Sequence, residues 1–241
     1  MAMKVILSLG GSVLAPDLDA EQVAAHAAAI ESLVDAGFEV GIVVGGGEVA
    51  RDYIAAGREL GGNEVELDEL GIAATRLNAR LLIAALDTCT NPTPAEDYAD
   101  AGEALNRGDV AIMGGVMAGQ TTDAVAAALA EYVDADLLAY ATSTDGVYDA
   151  DPNEDPEAIR YTTMSPAELV ELVVPMSRDA GSSAPVDLLA AKLIERAGMR
   201  AIVFDGTEPG DVTDAVLNGS HTGTDIIPEG GEEPAEWITT E

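Results

Sequence analysis

Lysine is the scarcest chemistry-bearing residue in this chain: Lys4 and Lys192 are the only two, beside nine arginines and 44 acids. Neither follows a glycine or precedes Ser or Thr, which excludes a Walker A loop, and neither sits in the V-A-I-K strand of protein kinases. The two standard lysine-bearing nucleotide motifs are therefore excluded. Cys89 is the single cysteine, and His26 and His221 are far apart, so neither an internal disulfide nor a zinc constellation is expected. Glycine clusters Gly10-Gly11, Gly45-Gly46-Gly47 and Gly114-Gly115 each end a short apolar run. Glycine lets the backbone approach an anion closely, and a helix starting there adds unpaired N–H groups at its positive end, a combination suited to phosphates. Tight strand-to-helix turns are the alternative for any one cluster. Arg51 lies one turn past Gly47, where its guanidinium could grip a phosphate in bidentate fashion or pair with a surface acid. Lys192 sits in the apolar stretch 188–194, as a phosphate ligand or as a snorkelling surface lysine. Asp123 opens an alanine-rich segment, where an acid also favours a helix N-terminus.

The elements that must position these groups alternate between strand and helix. Residues 5–9, 40–44, 110–113, 137–142 and 200–204 read as buried strands. Helices are expected from Asp19, where Gln22 completes a capping box, then after Gly47 and over 67–86, 95–105, 122–132, 186–197 and 211–217. A further helix starts at Ser165, with Pro166 at its first position and Glu168 closing a capping box. Residues 145–156 read as irregular loop, and 224–227 as a strand closing the sheet. The pattern predicts an α/β fold, a three-layer α/β/α sandwich with a mainly parallel central sheet, as a single domain over 1–228. Residues 229–241 read as an acidic disordered tail. Ligands of such sheets bind beyond the carboxyl ends of the strands, where all three glycine clusters would lie.

Composition narrows the partners. A net charge of -33 and a pI near 4.1 argue against nucleic acid and anionic membrane. The acids are spread along the chain, so they must cover the folded surface. Their repulsion acts over about 8 Å at ordinary ionic strength but about 3 Å near 1 M salt, so the composition reads as adapted to high salt. No run of about 18 apolar residues suggests a membrane span, and Gly10-Gly11-Ser12 breaks the one stretch that looks like a signal peptide. A reducing, cytoplasmic compartment is the expectation.

The segments Leu9-Gly10-Gly11-Ser12, Val44-Gly45-Gly46-Gly47-Glu48-Val49-Ala50-Arg51, Gly119-Gln120-Thr121-Thr122-Asp123-Ala124 and 142–152 together resemble the amino acid kinase family. Within it the chain is similar to the archaeal branch acting on UMP, through 46–53, Leu70-Gly71-Ile72, Arg76-Leu77-Asn78-Ala79 and Leu189-Ala190-Ala191-Lys192. The resemblance covers 4–228 and implies phosphoryl transfer from ATP, with Mg2+, to UMP, in a homo-hexamer serving pyrimidine nucleotide synthesis. It implies that the amino-terminal half holds the monophosphate: Gly46 on its phosphate, Asp68 on its ribose, and Val116, Met117, Ala118, Gly119, Gln120, Thr121 and Thr122 along the uridine. ATP would lie against Gly11, Ser12, Gly47, Arg51, Thr142, Ser143, Tyr148 and Asp151, with Lys192, Asp123 and Arg51 catalytic and Asp123 orienting Lys192. It names no protein ligand for the metal. Asp68 could equally be a solvated acid, and Tyr148 and Asp151 loop-packing groups. Ser8 departs from the family, many members of which carry a lysine there; Lys4, Arg51 or a metal ion is left to supply that charge. Ser143-Thr144 replaces the frequent Asn-Val. The readings left open are a family kinase of acetylglutamate, carbamate or isopentenyl phosphate, and a non-catalytic nucleotide-binding protein.

Overall fold

A computed structural model of the chain describes residues 2–152, 154–176 and 186–231. Most of the acidic tail, 232–241, lies outside the described residues. The strands are β1 (Lys4–Leu9), β2 (Glu39–Val44), β3 (Ala111–Met113), β4 (Leu137–Thr142), β5 (Val147–Tyr148), β6 (Arg160–Tyr161), β7 (Thr163–Met164), β8 (Ala201–Asp205) and β9 (Thr224–Ile226). The helices are α1 (Gly11–Leu14), α2 (Ala20–Asp35), α3 (Gly47–Glu59), α4 (Glu64–Ala85), α5 (Tyr98–Asn106), α6 (Thr122–Tyr132), α7 (Pro166–Met176), α8 (Leu188–Ala197) and α9 (Pro209–Asn218).

Seven strands form one sheet in the order β3-β2-β1-β4-β8-β9-β7, parallel throughout except for the β8–β9 pair. Alternation along each strand divides the core into two layers. Val5, Leu7 and Leu9 of β1 pack with Val23, Ile30 and Leu33 of α2, Leu82 of α4 and Val216 of α9. Ile6 points to the other face, with Leu105 of α5, Ala126 and Leu129 of α6, Leu169 of α7 and Ile194 of α8. The expected three-layer sandwich is therefore present, and each fully buried Leu or Ile in it contributes about 1.5–3 kcal/mol. Parallel pairing of β1, β2 and β3 puts all three glycine clusters at one edge of the sheet.

Local chemistry explains the boundaries. Asp19 caps α2 by accepting the Glu21 N–H at 2.9 Å, but the expected box is incomplete because Gln22 reaches the Thr207 carbonyl instead. The Ser165 box does form: Glu168 accepts the Ser165 N–H at 2.7 Å, and Ser165 Oγ accepts the Glu168 N–H at 3.2 Å. Asp187 caps α8, which therefore starts two residues later than the apolar pattern suggested. The expected loop at 145–156 contains β5, which pairs antiparallel with β6. β7 forms the sheet edge beyond β9.

Candidate functional site

The first two glycine turns touch backbone to backbone. A Cβ on Gly11 would lie 2.3 Å from the Gly47 nitrogen and 2.5 Å from the Gly45 oxygen, and one on Gly45 would lie 2.6 Å from the Gly11 nitrogen. Gly47 has φ +61°, a left-handed conformation that favours glycine, as it opens α3. No side chain fits between these turns, so the two strand ends form one shallow cradle of peptide groups. Buried polar side chains of α4 hold it. Asn78 donates to the carbonyls of Gly45 at 2.9 Å and Gly46 at 3.1 Å. Thr75 Oγ1 accepts the Gly115 N–H at 2.7 Å, and Arg76 Nε donates to the Gly115 carbonyl at 3.2 Å. Gly11, Gly46 and Gly47 are thus brought together, with Ser12 half-buried on α1 beside them.

Cations are distributed unevenly. Lys4, Arg58, Arg107, Arg160, Lys192 and Arg196 each sit on a carboxylate. Among the described residues, Arg51, Arg76 and Arg80 of α3 and α4 have no carboxylate partner. In a chain with 44 acids, unpaired arginines beside a cradle of N–H groups leave positive charge available to an anion.

Beyond β3 the loop 116–121 crosses the same edge. Asp68 and this loop meet: Asp68 Oδ2 accepts the Gly119 N–H at 2.8 Å. Val116, Ala118, Gln120 and Thr122 are half-buried, whereas Met117 is 55% exposed. Gln120 accepts a long contact from the Tyr98 hydroxyl, at 3.5 Å, and burial pushes that tyrosine's pKa up. Thr121 caps α6 by accepting the Ala124 N–H at 3.2 Å.

On the other side the Gly10 N–H donates to the Ala141 carbonyl at 3.1 Å, bringing the first turn against the end of β4. Thr142 Oγ1 donates to the Thr144 carbonyl at 2.8 Å and accepts its N–H at 3.0 Å, leaving Ser143 exposed. The Tyr148 hydroxyl donates to Asp145 at 2.6 Å, and Arg160 holds the other carboxylate oxygen. That hydrogen bond is the main reason the tyrosine's pKa is raised. Asp151 is half-buried, and its carbonyl accepts the N–H groups of Glu154 and Asp155.

Asp123 stands between the two halves. Ser8 Oγ donates to its Oδ1 at 3.2 Å, and the Asp187 N–H also donates to its carboxylate. Tyr140 donates its hydroxyl to the Asp123 carbonyl at 3.1 Å. The Asp123 pKa is raised to about 6, chiefly by burial, with the Ser8 hydrogen bond pulling it down and the Asp187 charge adding to the rise. Tyr140 is pushed well above its ordinary value by burial, then by Asp123 and Asp187. The expectation that Asp123 holds Lys192 is corrected: the Lys192 ammonium lies on Glu195 at 2.9 Å, on the exposed face of α8. Lys4 does not supply charge at Ser8 either, since its ammonium reaches the Val133 carbonyl and Glu39 at the opposite end of β1. His26 is buried between the carbonyls of Gln22 and Gly206, both within hydrogen-bond reach of its ring.

Thr75, Asn78 and Asp187 shape the site without having been singled out from the sequence. Thr75 and Asn78 interrupt the buried stripe Ile72, Ala79 and Leu82 of α4, and that interruption is the signal that could have found them. Among the described residues no group of three or more His, Cys, Asp or Glu side chains could hold a metal ion.

Residues 3–205 match the model of the amino acid kinase family. The chain is 64% identical over 240 residues to uridylate kinase from Haloquadratum walsbyi, covering 99% of this chain and 100% of that protein. It is 68% identical over 235 residues to uridylate kinase from Halorubrum lacusprofundi, covering 98% of each. The crystal structure of uridylate kinase from Archaeoglobus fulgidus superposes with a TM-score of 0.83 at 46% identity, covering 93% of this chain and 100% of that one. With the glycine cradle, the parallel sheet and this likeness along nearly its whole length, the chain belongs to the amino acid kinase family.

Proposed function

We propose that the protein is a UMP kinase, transferring the γ-phosphoryl of ATP to UMP to give UDP and ADP. The observation that carries this reading is the interlocked glycine cradle, adjoined by helices whose Arg51, Arg76 and Arg80 hold no carboxylate among the described residues, in a chain so similar to uridylate kinases of salt-loving archaea. Phosphoryl transfer asks a protein mainly for positioning and charge stabilisation. Backbone amides at Gly11, Gly46 and Gly47 approach the phosphates, with Arg51 as a bidentate clamp. Asp68 and the loop 116–122 form the wall along which uridine and its ribose are read. Thr142, Ser143, Tyr148 and Asp151 line the ATP side of the single domain, with Ser12 at its floor. Lys192 leaves Glu195 for the transferred phosphoryl, a small cost because an exposed pair of this kind is worth about 0.2–1 kcal/mol. UMP's phosphate is largely ionised at neutral pH, so no strong general base is needed.

Magnesium fits as the counter-ion of the nucleotide, since the described residues offer no cluster of carboxylates to hold it apart from phosphate. Bound with the nucleotide, it would supply positive charge against the phosphates. The product enters pyrimidine nucleotide synthesis, with the cytoplasm as its place; no described helix is long and apolar enough to cross a membrane. Exposed Tyr53, Leu77 and Leu81 on α3 and α4 support assembly, read as a homo-hexamer, which light scattering in high salt checks.

The deciding experiment incubates the protein in molar KCl with MgATP and a panel of UMP, CMP, dTMP, carbamate, acetylglutamate and isopentenyl phosphate. UDP formation is expected. Exclusive turnover of a non-nucleotide would replace this reading by another kinase of the family, and nucleotide binding without turnover by a non-catalytic role.

A further inference from the structure

We infer that Ser8 is a positioning residue, whose hydroxyl holds the Asp123 carboxylate across the gap between β1 and α6 at the centre of the candidate site. The inference rests on the proposed kinase reading for its catalytic meaning, but on the contact itself for its physics.

Three constraints converge on this pair. Period-two alternation turns Ser8 to the same face as Ile6, the face covered by α6, and parallel pairing of β1 with both β2 and β4 fixes it there. Ser8 is 5% exposed, so its hydroxyl must find a protein acceptor, and Asp123 Oδ1 at 3.2 Å is the acceptor it has. Tyr140, one strand over, fixes the backbone of the same residue through its carbonyl at 3.1 Å. Asp123 is therefore held at both its main chain and its side chain by neighbouring strands of the sheet.

The surroundings explain why a neutral donor matters here. The groups acting on the Asp123 carboxylate are the Ser8 hydroxyl from β1 and Asp187, through its N–H and its charge, at the start of α8, while Tyr140 from β4 faces the same residue and bonds its main-chain carbonyl. No cation is among them, and Lys192 of α8 is turned to Glu195. Crowding and the Asp187 charge disfavour the ionised form, whereas the Ser8 hydrogen bond favours it. Ser8 thus does through a dipole part of what a cation at this position would do, without occupying the site with a second positive group. The ionised, oriented Asp123 is then free to draw in a cation when the nucleotides arrive.

The test uses four variants of the full chain in molar KCl, each checked by thermal melting. Aspartate side-chain carbons are labelled with 13C, and the Asp123 signal is identified by its loss in Asp123→Asn. In the wild type that signal should titrate near pH 6; in Ser8→Ala its midpoint should rise by roughly one unit, the consequence of losing a hydrogen bond to a charged group. Ser8→Thr keeps the oxygen and should restore the midpoint. Tyr140→Phe removes a donor to the main chain only, so it should leave the midpoint close to that of the wild type. UDP formation against pH should show its acid limb displaced upward in Ser8→Ala by the same amount; ionisation of UMP itself is common to both enzymes and cancels in the comparison. An unchanged midpoint in Ser8→Ala, or an equal rise in Tyr140→Phe, overturns the positioning role. A midpoint that moves while the acid limb stays fixed also overturns it, since Asp123 would then be held for no catalytic purpose. The NMR midpoint needs no turnover, so absence of UDP formation in the wild type would sink the kinase reading separately.

Discussion

The two halves of the edge where the strands end are built by different means. Around Gly11 and Gly45 to Gly47 the surface is made of backbone, packed too closely for any Cβ and secured by Asn78, while Thr75 holds the neighbouring turn at Gly115. The nearby arginines are left without acid partners. Around β4, β5 and α8 the reverse holds: Tyr148 and Arg160 share Asp145, Thr142 bonds Thr144, and Lys192 bonds Glu195. The first half is a closely packed backbone surface, and the second is a set of side chains satisfied by one another. On the proposed reading, a ligand would meet the first without displacing side-chain partners but would have to displace internal partners at the second. Substitutions should therefore separate by half: rigid failure of folding and binding in one, loss of turnover with little loss of stability in the other.

The largest effect is expected from Gly11→Ala. The new methyl would meet backbone atoms of Gly45, Gly46 and Gly47 at 2.3 to 2.5 Å, and backbone cannot rotate away as a side chain can. Overpacking of this kind costs about 1–3 kcal/mol, and a shift of about 1 Å in a substrate-positioning group can cost about 100-fold in rate. Both a lower melting temperature in molar KCl and at least that loss in kcat/KM should appear. Gly119→Ala is the matched control: its φ of +81° disfavours alanine, but nothing lies within 4 Å of the added Cβ. Comparable damage from the two changes would mean the cradle is no more rigid than the loop.

How much of this was legible beforehand depends on the range of the interaction. β4 and α6 match the segments read from sequence, because a continuous apolar run and an alanine-rich stretch after a Thr cap carry their own signals. The glycine cradle was legible as three separate turns, and the parallel order of β1, β2 and β3 makes them neighbours. Gln22 misled because its partner, Thr207, lies 185 residues away and outbids the local capping box. β6 and β7 are two residues each, too short to show any period. The Ser8–Asp123 contact spans 115 residues, so spacing alone could mark Ser8 as a departure but not say what it touches. The family resemblance set Lys192 against Asp123, whereas its ammonium lies on the i,i+3 neighbour Glu195 of the same helix.

Lys192→Ala should give the next largest effect and the clearest contrast with Gly11→Ala. Losing one electrostatic contact made to the transferred phosphoryl lowers turnover by roughly 100-fold, about 3 kcal/mol. Stability should hardly change, since the pair it forms with Glu195 is exposed and screened by molar salt. Melting and single-turnover measurements on the same preparation check both halves of the statement. Near wild-type turnover would remove Lys192 from the chemistry and leave the arginines of α3 and α4 as the source of positive charge.

The smallest effect, and the one that sharpens the comparison most, belongs to Arg51→Ala. Arg51 is exposed on α3 and holds no carboxylate among the described residues, so its removal leaves no buried acid unpaired and no packing defect. Stability should stay within about 0.5 kcal/mol, the usual range for surface changes of this kind. If its guanidinium meets phosphate equally in the ground and transition states, the loss appears in the Michaelis constant and not in kcat. A rise of roughly tenfold in KM, about 1.4 kcal/mol, is the size expected for one charge-assisted contact partly screened by salt. The preformed half then reveals itself by KM and the partnered half by kcat, so Arg51→Ala and Lys192→Ala should fall on different axes of the same steady-state data. Arg51→Lys gives a further reading: a point charge retains attraction but loses the bidentate fork, so partial recovery of KM marks a phosphate contact. A fall in kcat for Arg51→Ala with KM unchanged would place Arg51 on the transferred phosphoryl and erase the division between the two halves.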